Sequence, residues 1–363
     1  MTPAPGPEAE PPTSGRRPAL LLAAAVVLFL VAVRTLGASV DLIAPVLRDA
    51  VGGFLAEPAA VLGVGWLAAY VLLNGSVVAA LAVTLFASGV LATGGVYLMV
   101  AGSRLGAAAF VVLVGLLDYL QRGRRQRLRD ALGLGLMAFL VAHTIYLPAA
   151  GLELLTPWEP GRRLAEAIGS LAVTVPRPGL LRPAVHRLGS SVGAPVLIAA
   201  SLALLLGAIR LADRGARALD RERLRSRWLA RLDRRAVSFG AGLALTAVTA
   251  SVAFSVGIVV PLYNRGWVSR SQVLPYLLGA NLATLIDTVL VGLALDSPVG
   301  TAVVLSLTAV VAALTGLAFA FYDGYVRLVE RSLEAVTSSR PAFALFAASL
   351  VLVPLLLVLL PVV

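Results

Sequence analysis

Residues 279–293 read GANLATLIDTVLVGL, and residues 102–116 read GSRLGAAAFVVLVGL. Both stretches are apolar enough for lipid, both open on Gly, and both close on the same pentapeptide, 177 residues apart. Sliding the whole chain by 177 pairs Gly63 with Gly240, Gly65 with Gly242, Gly89 with Gly266, Gly102 with Gly279 and Gly115 with Gly292. Chains written in few residue types match themselves by chance. Five paired glycines and an identical run in one gapless register point instead to a duplicated unit. The first copy covers residues 19–190 and the second residues 191–363. A Pro-rich polar segment, 1–18, precedes them and reads as a disordered cytoplasmic tail.

The composition says where such a unit lives. Of 363 residues, 59% are hydrophobic and 13% charged, with a mean hydropathy of +0.92. That leaves too little polar surface to cover a globule in water. Apolar runs at 19–38, 94–120, 131–152, 191–209, 271–295, 301–322 and 341–362 are each long enough to cross a bilayer as a helix. The expected fold is an all-α polytopic membrane protein with the lipid bilayer as its surroundings. Arg16-Arg17 before an apolar run ending in LGAS, 36–39, also suits a signal peptide. The run has a counterpart at 196–215, however, and reads as a retained span.

Several function classes fall away. The net charge of +11 comes from Arg, since the chain has no Lys, and it sits in short loops, where it orients spans rather than binding nucleic acid. With no Cys there is no disulfide, thiolate metal site or cysteine nucleophile. Two His, no HExxH and no GxSxG argue against an enzyme, and no cofactor is expected.

The loop charges bear on orientation. Segment 39–58 has one Arg against three acids, a net of −2, whereas its counterpart 216–235 has eight Arg against three acids, a net of +5. Segment 121–130 carries five Arg, and its counterpart 298–307 carries no charge. Equivalent loops of opposite charge belong on opposite sides of the membrane. The reading is therefore two inverted-topology repeats in the cell membrane, with the N-terminus, 121–130 and 212–235 cytoplasmic and 153–190 external. Each copy also holds about 28 apolar residues broken near the middle, at 59–88 (around Asn74-Gly75-Ser76) and at 237–263 (around Thr249–Ser255). Two full crossings need about 40 residues, so a re-entrant helical hairpin or one tilted helix fits each stretch.

Polar residues at membrane depth line a cavity or let helices pack closely. Arg104 and Asp287 are too costly in lipid to be idle. They form either a structural pair across the copies or part of a substrate or ion site. His143, Thr144 and Tyr146 make a polar patch read as helix packing. Asp118 and Asp323 read as interfacial.

A repeated unit with a Ser-bearing hairpin turn followed by Gly-Ala-Asn resembles the sodium–phosphate cotransporter family. GANLAT at 279–284 is close to that family's GANIGT motif, and LTAVTASVAFSVGIVVPLYNRGWVSRSQVLPYLLGAN shares its approach to it. The likeness covers about 59–120 and 236–297. The chain departs where the family has Q-S-S-S: only Ser251 remains at 250–253, and Ser76, with Asn74, at 73–76. Ser103, Arg104 and Ala107 break the first GANIGT, whereas Asn281 and Thr284 keep the second.

The resemblance implies a secondary active transporter, a sodium-coupled symporter of phosphate or a related anion working by alternating access. A non-transporting or lipid-phosphate-translocating protein of the same architecture is the alternative. The expected substrate and ion site joins Asn74, Ser76, Ser103, Arg104, Ser251, Ser255, Asn281, Thr284 and Asp287. Sodium is the coupling ion, placed near Ser251, Asn281 and Thr284, and no oligomeric state is implied.

Overall fold

The computed structural model describes residues 16–121, 128–155, 181–217, 234–249 and 268–359, together with the single positions 163, 167, 252, 255, 256, 259 and 263. The described residues form helices and no strand. In chain order the helices are α1 (Arg16–Asp41), α2 (Ala44–Leu55), α3 (Pro58–Val71), α4 (Gly75–Ala87), α5 (Thr93–Gln121), α6 (Leu128–Leu155) and α7 (Leu181–Val192). The second half continues with α8 (Ala194–Arg217), α9 (Arg235–Thr249), α10 (Arg270–Ala294), α11 (Pro298–Ala320), α12 (Tyr322–Thr337) and α13 (Arg340–Leu359). Seven of them, α1, α5, α6, α8, α10, α11 and α13, are long and apolar enough to cross a membrane. They coincide with the seven runs read from the sequence, so this is a polytopic membrane protein.

The breaks between helices follow local chemistry. Pro58 opens α3 and Pro298 opens α11, where a missing N–H costs nothing. At the head of α10, Gln272 reaches back to accept the N–H of Ser269 at 2.7 Å. Gly193, at φ +85°, separates α7 from α8, a left-handed turn that only Gly makes without strain.

The stretch 59–88 is two helices rather than one tilted helix. Helix α3 has 14 residues and α4 has 13, about 20 Å each at 1.5 Å per residue, too short to cross the ~30 Å hydrocarbon core. Leu73, at φ +54°, turns the chain between them. Upstream, α2 meets α3 at a bend of 110°. Of the second apolar stretch, α9 is described. Most of 250–267, including Ser251, lies outside the described residues, as does most of 153–180 and the basic stretch 218–233.

The 177-residue register has a physical counterpart in how helices touch. A Cβ on Gly65 would lie 2.4 Å from the Met99 carbonyl oxygen, and one on Gly102 would lie 2.2 Å from that of Leu62, so α3 and α5 meet backbone to backbone. In α9 and α10, a Cβ on Gly242 would lie 2.1 Å from the Tyr276 oxygen and one on Gly279 2.1 Å from that of Phe239. Each of these four residues is its counterpart plus 177. Small residues permit such crossings in lipid, where close van der Waals contact replaces the hydrophobic drive.

The equivalent spans α1 and α8 also pack on each other. Gly215, near the end of α8, lies against Leu21 and Leu22 near the start of α1. Ala38, near the end of α1, shares a small apolar cluster with Leu197 at the start of α8. The two spans therefore run antiparallel.

At one end of the molecule the starts of α9, α10 and α12 come together. Arg235 pairs with Asp323 at 2.8 Å and lies 4.2 Å from the Tyr322 ring centroid. Ser238 donates to the Gln272 carbonyl at 2.6 Å, and the Tyr322 hydroxyl donates to that of Ser271. Both charged side chains are more than half exposed, in keeping with the interfacial reading of Asp323.

Candidate functional site

The first half of the site is built by glycine. A Cβ on Gly75 would sit 2.7 Å from the Ser103 carbonyl oxygen, so only Gly lets the first turn of α4 lie on α5 at this level. Asn74 starts that turn as its cap. Its side-chain oxygen accepts the N–H groups of Ser76 at 2.8 Å and of Val77 at 3.2 Å. A helix start leaves its first N–H groups without intrahelical partners. The Asn74 side chain occupies two of those groups, and the tip presents the Ser76 hydroxyl.

That hydroxyl faces Arg104. One guanidinium nitrogen, Nη1, donates to Ser76 Oγ at 3.2 Å. The other, Nη2, donates to Thr288 Oγ1 at 2.6 Å and to Asp287 Oδ1 at 3.1 Å. Thr288 in turn donates to the same Asp287 oxygen at 2.9 Å. Arg104 and Asp287 are each 6% exposed, and Thr288 is 1% exposed. The cluster thus ties α4, α5 and α10 together and neutralises both charges away from solvent. Arg104 keeps one donor in hand, because its Nε is buried without a hydrogen-bond partner.

A second polar group lies one turn away along α10. The Tyr146 hydroxyl, on α6, donates to the Asn281 carbonyl at 3.0 Å and sits 3.3 Å from Thr284 Oγ1. Thr284 also donates to the Asn281 carbonyl, at 2.6 Å. Three oxygens of different origin are gathered here, and the half-buried Asn281 side chain adds an amide. Oxygen ligands of this kind suit a hard monovalent cation. The described residues contain no cluster of three His, Cys, Asp or Glu able to hold a metal ion.

The remaining expected residues lie elsewhere or turn inward. Ser103 is fully buried, with its hydroxyl returned to the Val100 carbonyl of its own helix at 2.7 Å. Ser255 is fully buried and paired with Tyr276, hydroxyl to hydroxyl at 2.7 Å, and Tyr276 donates to the Ser255 carbonyl at 2.8 Å. That pair joins the second hairpin region to α10. Asn74, Ser76, Arg104 and Asp287 therefore meet, Asn281 and Thr284 meet beside Tyr146, and Ser251 lies outside the described residues.

Two contributors escape the sequence reading. Thr288 joins Arg104 to Asp287, and Tyr146 leaves its helical patch for α10. Their neighbours behave differently. His143 bonds the Phe139 carbonyl at 2.8 Å and stacks on the Phe139 ring, while Thr144 bonds Leu140 and the Tyr325 hydroxyl. An open cavity of about 390 Å³ lies at the starts of α9, α10 and α12, lined by Arg235, Ser269, Gln272 and Tyr322. None of its lining residues belongs to the Arg104 cluster.

Comparison with known proteins adds the family. Residues 204–351 match the Na+/Pi-cotransporter family, which is the family named by the resemblance of GANLAT, and the match contains α9 to α12 with Asn281, Thr284, Asp287 and Thr288. No curated protein and no solved structure matches the chain. The second half of the chain is thus similar to the Na+/Pi-cotransporter family over residues 204–351.

Proposed function

We propose that this chain is a secondary active transporter that moves phosphate, or an oxyanion of that class, together with sodium by alternating access. The observation that carries the reading is the buried cluster at the α4 tip: a guanidinium with a spare donor, flanked by the hydroxyls of Ser76 and Thr288. A forked guanidinium beside hydroxyl donors matches the geometry of a tetrahedral oxyanion. The family match over 204–351 supports phosphate and sodium as the transported species.

In this proposal Ser76 and Arg104 hold the anion and Asn74 orients the tip. Asn281, Thr284 and Tyr146 hold sodium, whereas Ser255 is committed to Tyr276. Arg104 stands where the family motif has Asn. Because a guanidinium has donors only, it cannot ligate a cation there, and a fixed positive charge replaces one bound ion. Fewer sodium ions then accompany each anion.

We further infer that the halves 19–190 and 191–363 are inverted repeats in the cell membrane, with the N-terminus cytoplasmic. The antiparallel packing of the equivalent spans α1 and α8 supports this, as does the reversal of loop charge. Transport rather than catalysis is the assigned role.

The test is uptake of labelled phosphate into proteoliposomes with and without an inward sodium gradient. Gradient-dependent uptake that is lost in Arg104→Ala and poorly restored by Arg104→Lys supports the assignment. Wild-type transport by the Ala variant with unchanged sodium dependence makes Arg104 structural and removes the site.

A further inference from the structure

We propose that Asp287 changes partner as the carrier loads, releasing Arg104 to the anion and becoming the charged ligand of the sodium ion; this rests on the phosphate and sodium places proposed above. The way the pair is made supports it. Arg104 Nη2 and Thr288 both donate to Asp287 Oδ1, and Oδ2 accepts no hydrogen bond among the described residues. Across the pair, Arg104 Nε is buried without a partner. A guanidinium and a carboxylate held together for structure alone are expected to use both prongs of each group. Here each keeps one polar atom unused, although both residues are 6% exposed. Polar atoms in so dry a place are normally matched, so the two unused atoms point to a second arrangement of the same groups.

That arrangement has a place on the same helix. Asn281, Thr284 and Asp287 recur at every third position of α10, which puts them on one face with successive side chains a turn from each other. Thr284 Oγ1 lies 3.3 Å from the Tyr146 hydroxyl, and that hydroxyl in turn senses the charges of both Arg104 and Asp287. The ion pair and the oxygen-lined place are therefore one polar strip. The oxygens at Asn281, Thr284 and Tyr146 are neutral. A hard cation taken out of water needs an opposite charge as well as oxygen ligands. Asp287 is the carboxylate within a turn of them.

Charge decides when the exchange occurs. The empty cluster sums to zero, one guanidinium against one carboxylate at 3.1 Å. Dihydrogen phosphate alone would displace Asp287 from Arg104 and leave a net negative charge in a water-poor site. Sodium alone would draw Asp287 away and leave the guanidinium uncompensated. With both bound, phosphate on Arg104 and sodium on Asp287, the sum is zero again. Each ion therefore favours the other by the same factor, with no contact between them, and one sodium accompanies each monovalent anion. The helices packed around the pair supply no substitute among the described residues. Helices α4 and α11 bring no ionisable side chain. His143 of α6 packs against Phe139 and Trp66, and Arg34 of α1 makes no ion pair with Asp287.

The first test needs no phosphate. Wild type, Arg104→Met and the double variant Arg104→Met with Asp287→Asn are unfolded by heat in dodecyl maltoside, in sodium chloride or in choline chloride of the same concentration. Arg104→Met leaves Asp287 without its guanidinium, so sodium is expected to bind it about tenfold more tightly than wild type and to raise its unfolding temperature. The double variant lacks the carboxylate, and its unfolding temperature is expected to be the same in both salts. No sodium effect on Arg104→Met, or an equal effect on the double variant, overturns the inference. The second test uses wild type alone, so a variant that fails to fold does not remove it. Binding of labelled sodium is expected to tighten about tenfold when phosphate is added. Sodium binding indifferent to phosphate overturns the inference, while phosphate uptake into proteoliposomes leaves the phosphate reading standing. Absence of both phosphate binding and phosphate uptake in sodium overturns that reading, and the inference with it.

Discussion

Replacing Arg104 by Met keeps most of the side-chain stem and removes the guanidinium from a site where Asp287 is 6% exposed. Asp287 then loses the bond at 3.1 Å and keeps only that from Thr288, while Ser76 loses its partner. Breaking a buried ion pair from one side costs about 3–5 kcal/mol, because the charge left behind is uncompensated. Asp287→Asn strands the guanidinium in the same way, and the expected loss is again about 3–5 kcal/mol. The double variant Arg104→Met with Asp287→Asn contains neither charge. Its expected stability lies within about 2 kcal/mol of wild type, since replacing a buried pair by neutral groups of similar volume is often close to neutral. The coupling energy is then at least about 4 kcal/mol, above the usual range for residues in contact and diagnostic of a desolvated pair. Unfolding by SDS in mixed micelles, followed by helical circular dichroism, measures all four proteins. Single variants that each lose under about 1 kcal/mol, or losses that simply add, would show that water reaches the pair and that it behaves as a surface salt bridge. In the same proteins transport separates fold from function. The double variant is expected to fold and to move no phosphate.

Gly65→Ala and Gly242→Ala are each expected to cost about 1–3 kcal/mol by overpacking, as their new Cβ atoms would meet carbonyl oxygens at 2.4 and 2.1 Å. Gly240→Ala, with nothing within 4 Å, is expected to be neutral, and an equal loss at 240 and 242 in the same unfolding assay would refute the close-crossing argument. Asn74→Ala removes the cap of α4 at about 1 kcal/mol and loosens Ser76, so the KM for phosphate rises, whereas Asn74→Asp keeps the cap. An unchanged KM for the Ala variant separates the cap from the site. Single cysteines at Gln126 and Ser190 are expected to react with an impermeant thiol reagent from opposite sides of the membrane. Equal labelling of both from outside ends the inverted-repeat proposal.

The spans were legible because a bilayer imposes a length and a solvent that sequence states directly. Runs of 20 or so apolar residues have few alternatives, and all seven returned as helices, all but α8 within about three residues of their expected ends, while α8 runs on from 209 to Arg217. The hairpin break at Asn74-Gly75-Ser76 was legible for a local reason, since Asn, Gly and Ser in a row interrupt an apolar helix and Asn is a favoured N-cap, the role Asn74 takes here. The partners of the site were harder. His143, Thr144 and Tyr146 lie within four residues on α6, yet they point to Phe139, to Tyr325 and to α10 respectively. In lipid both faces of a helix are apolar, so periodicity does not say which face meets protein, and a Tyr cannot be assigned to a partner 135 residues away. Thr288 carried a weak signal in standing next to an Asp at membrane depth.

The proposed repeat accounts for one half that is altered at the site while its close helix crossings match those of the other. Backbone-to-backbone contact at Gly65, Gly102, Gly242 and Gly279 leaves no room for another residue, so both copies are held to Gly by sterics alone. The polar positions carry no such constraint. Under the 177-residue register, Arg104 corresponds to Asn281 and Asp287 to Phe110. A symmetric molecule would bury a second Arg–Asp pair formed by residues 281 and 110, with a second desolvation cost near the same axis. The chain instead has one charged pair and, on the other side of the relation, an amide and a phenyl ring. In the proposed transporter that leaves a cationic place for the anion and an oxygen-lined place at Asn281, Thr284 and Tyr146 for a cation, two chemically different subsites from positions related by the 177-residue register. Exchanging them tests this directly. Arg104→Asn and Asp287→Phe together with Asn281→Arg and Phe110→Asp rebuild the pair on the opposite side. Stable folding with reversed demands on sodium at the two subsites is the expected outcome, and a fold lost beyond the cost of the single changes would mean that the two positions are not equivalent in depth.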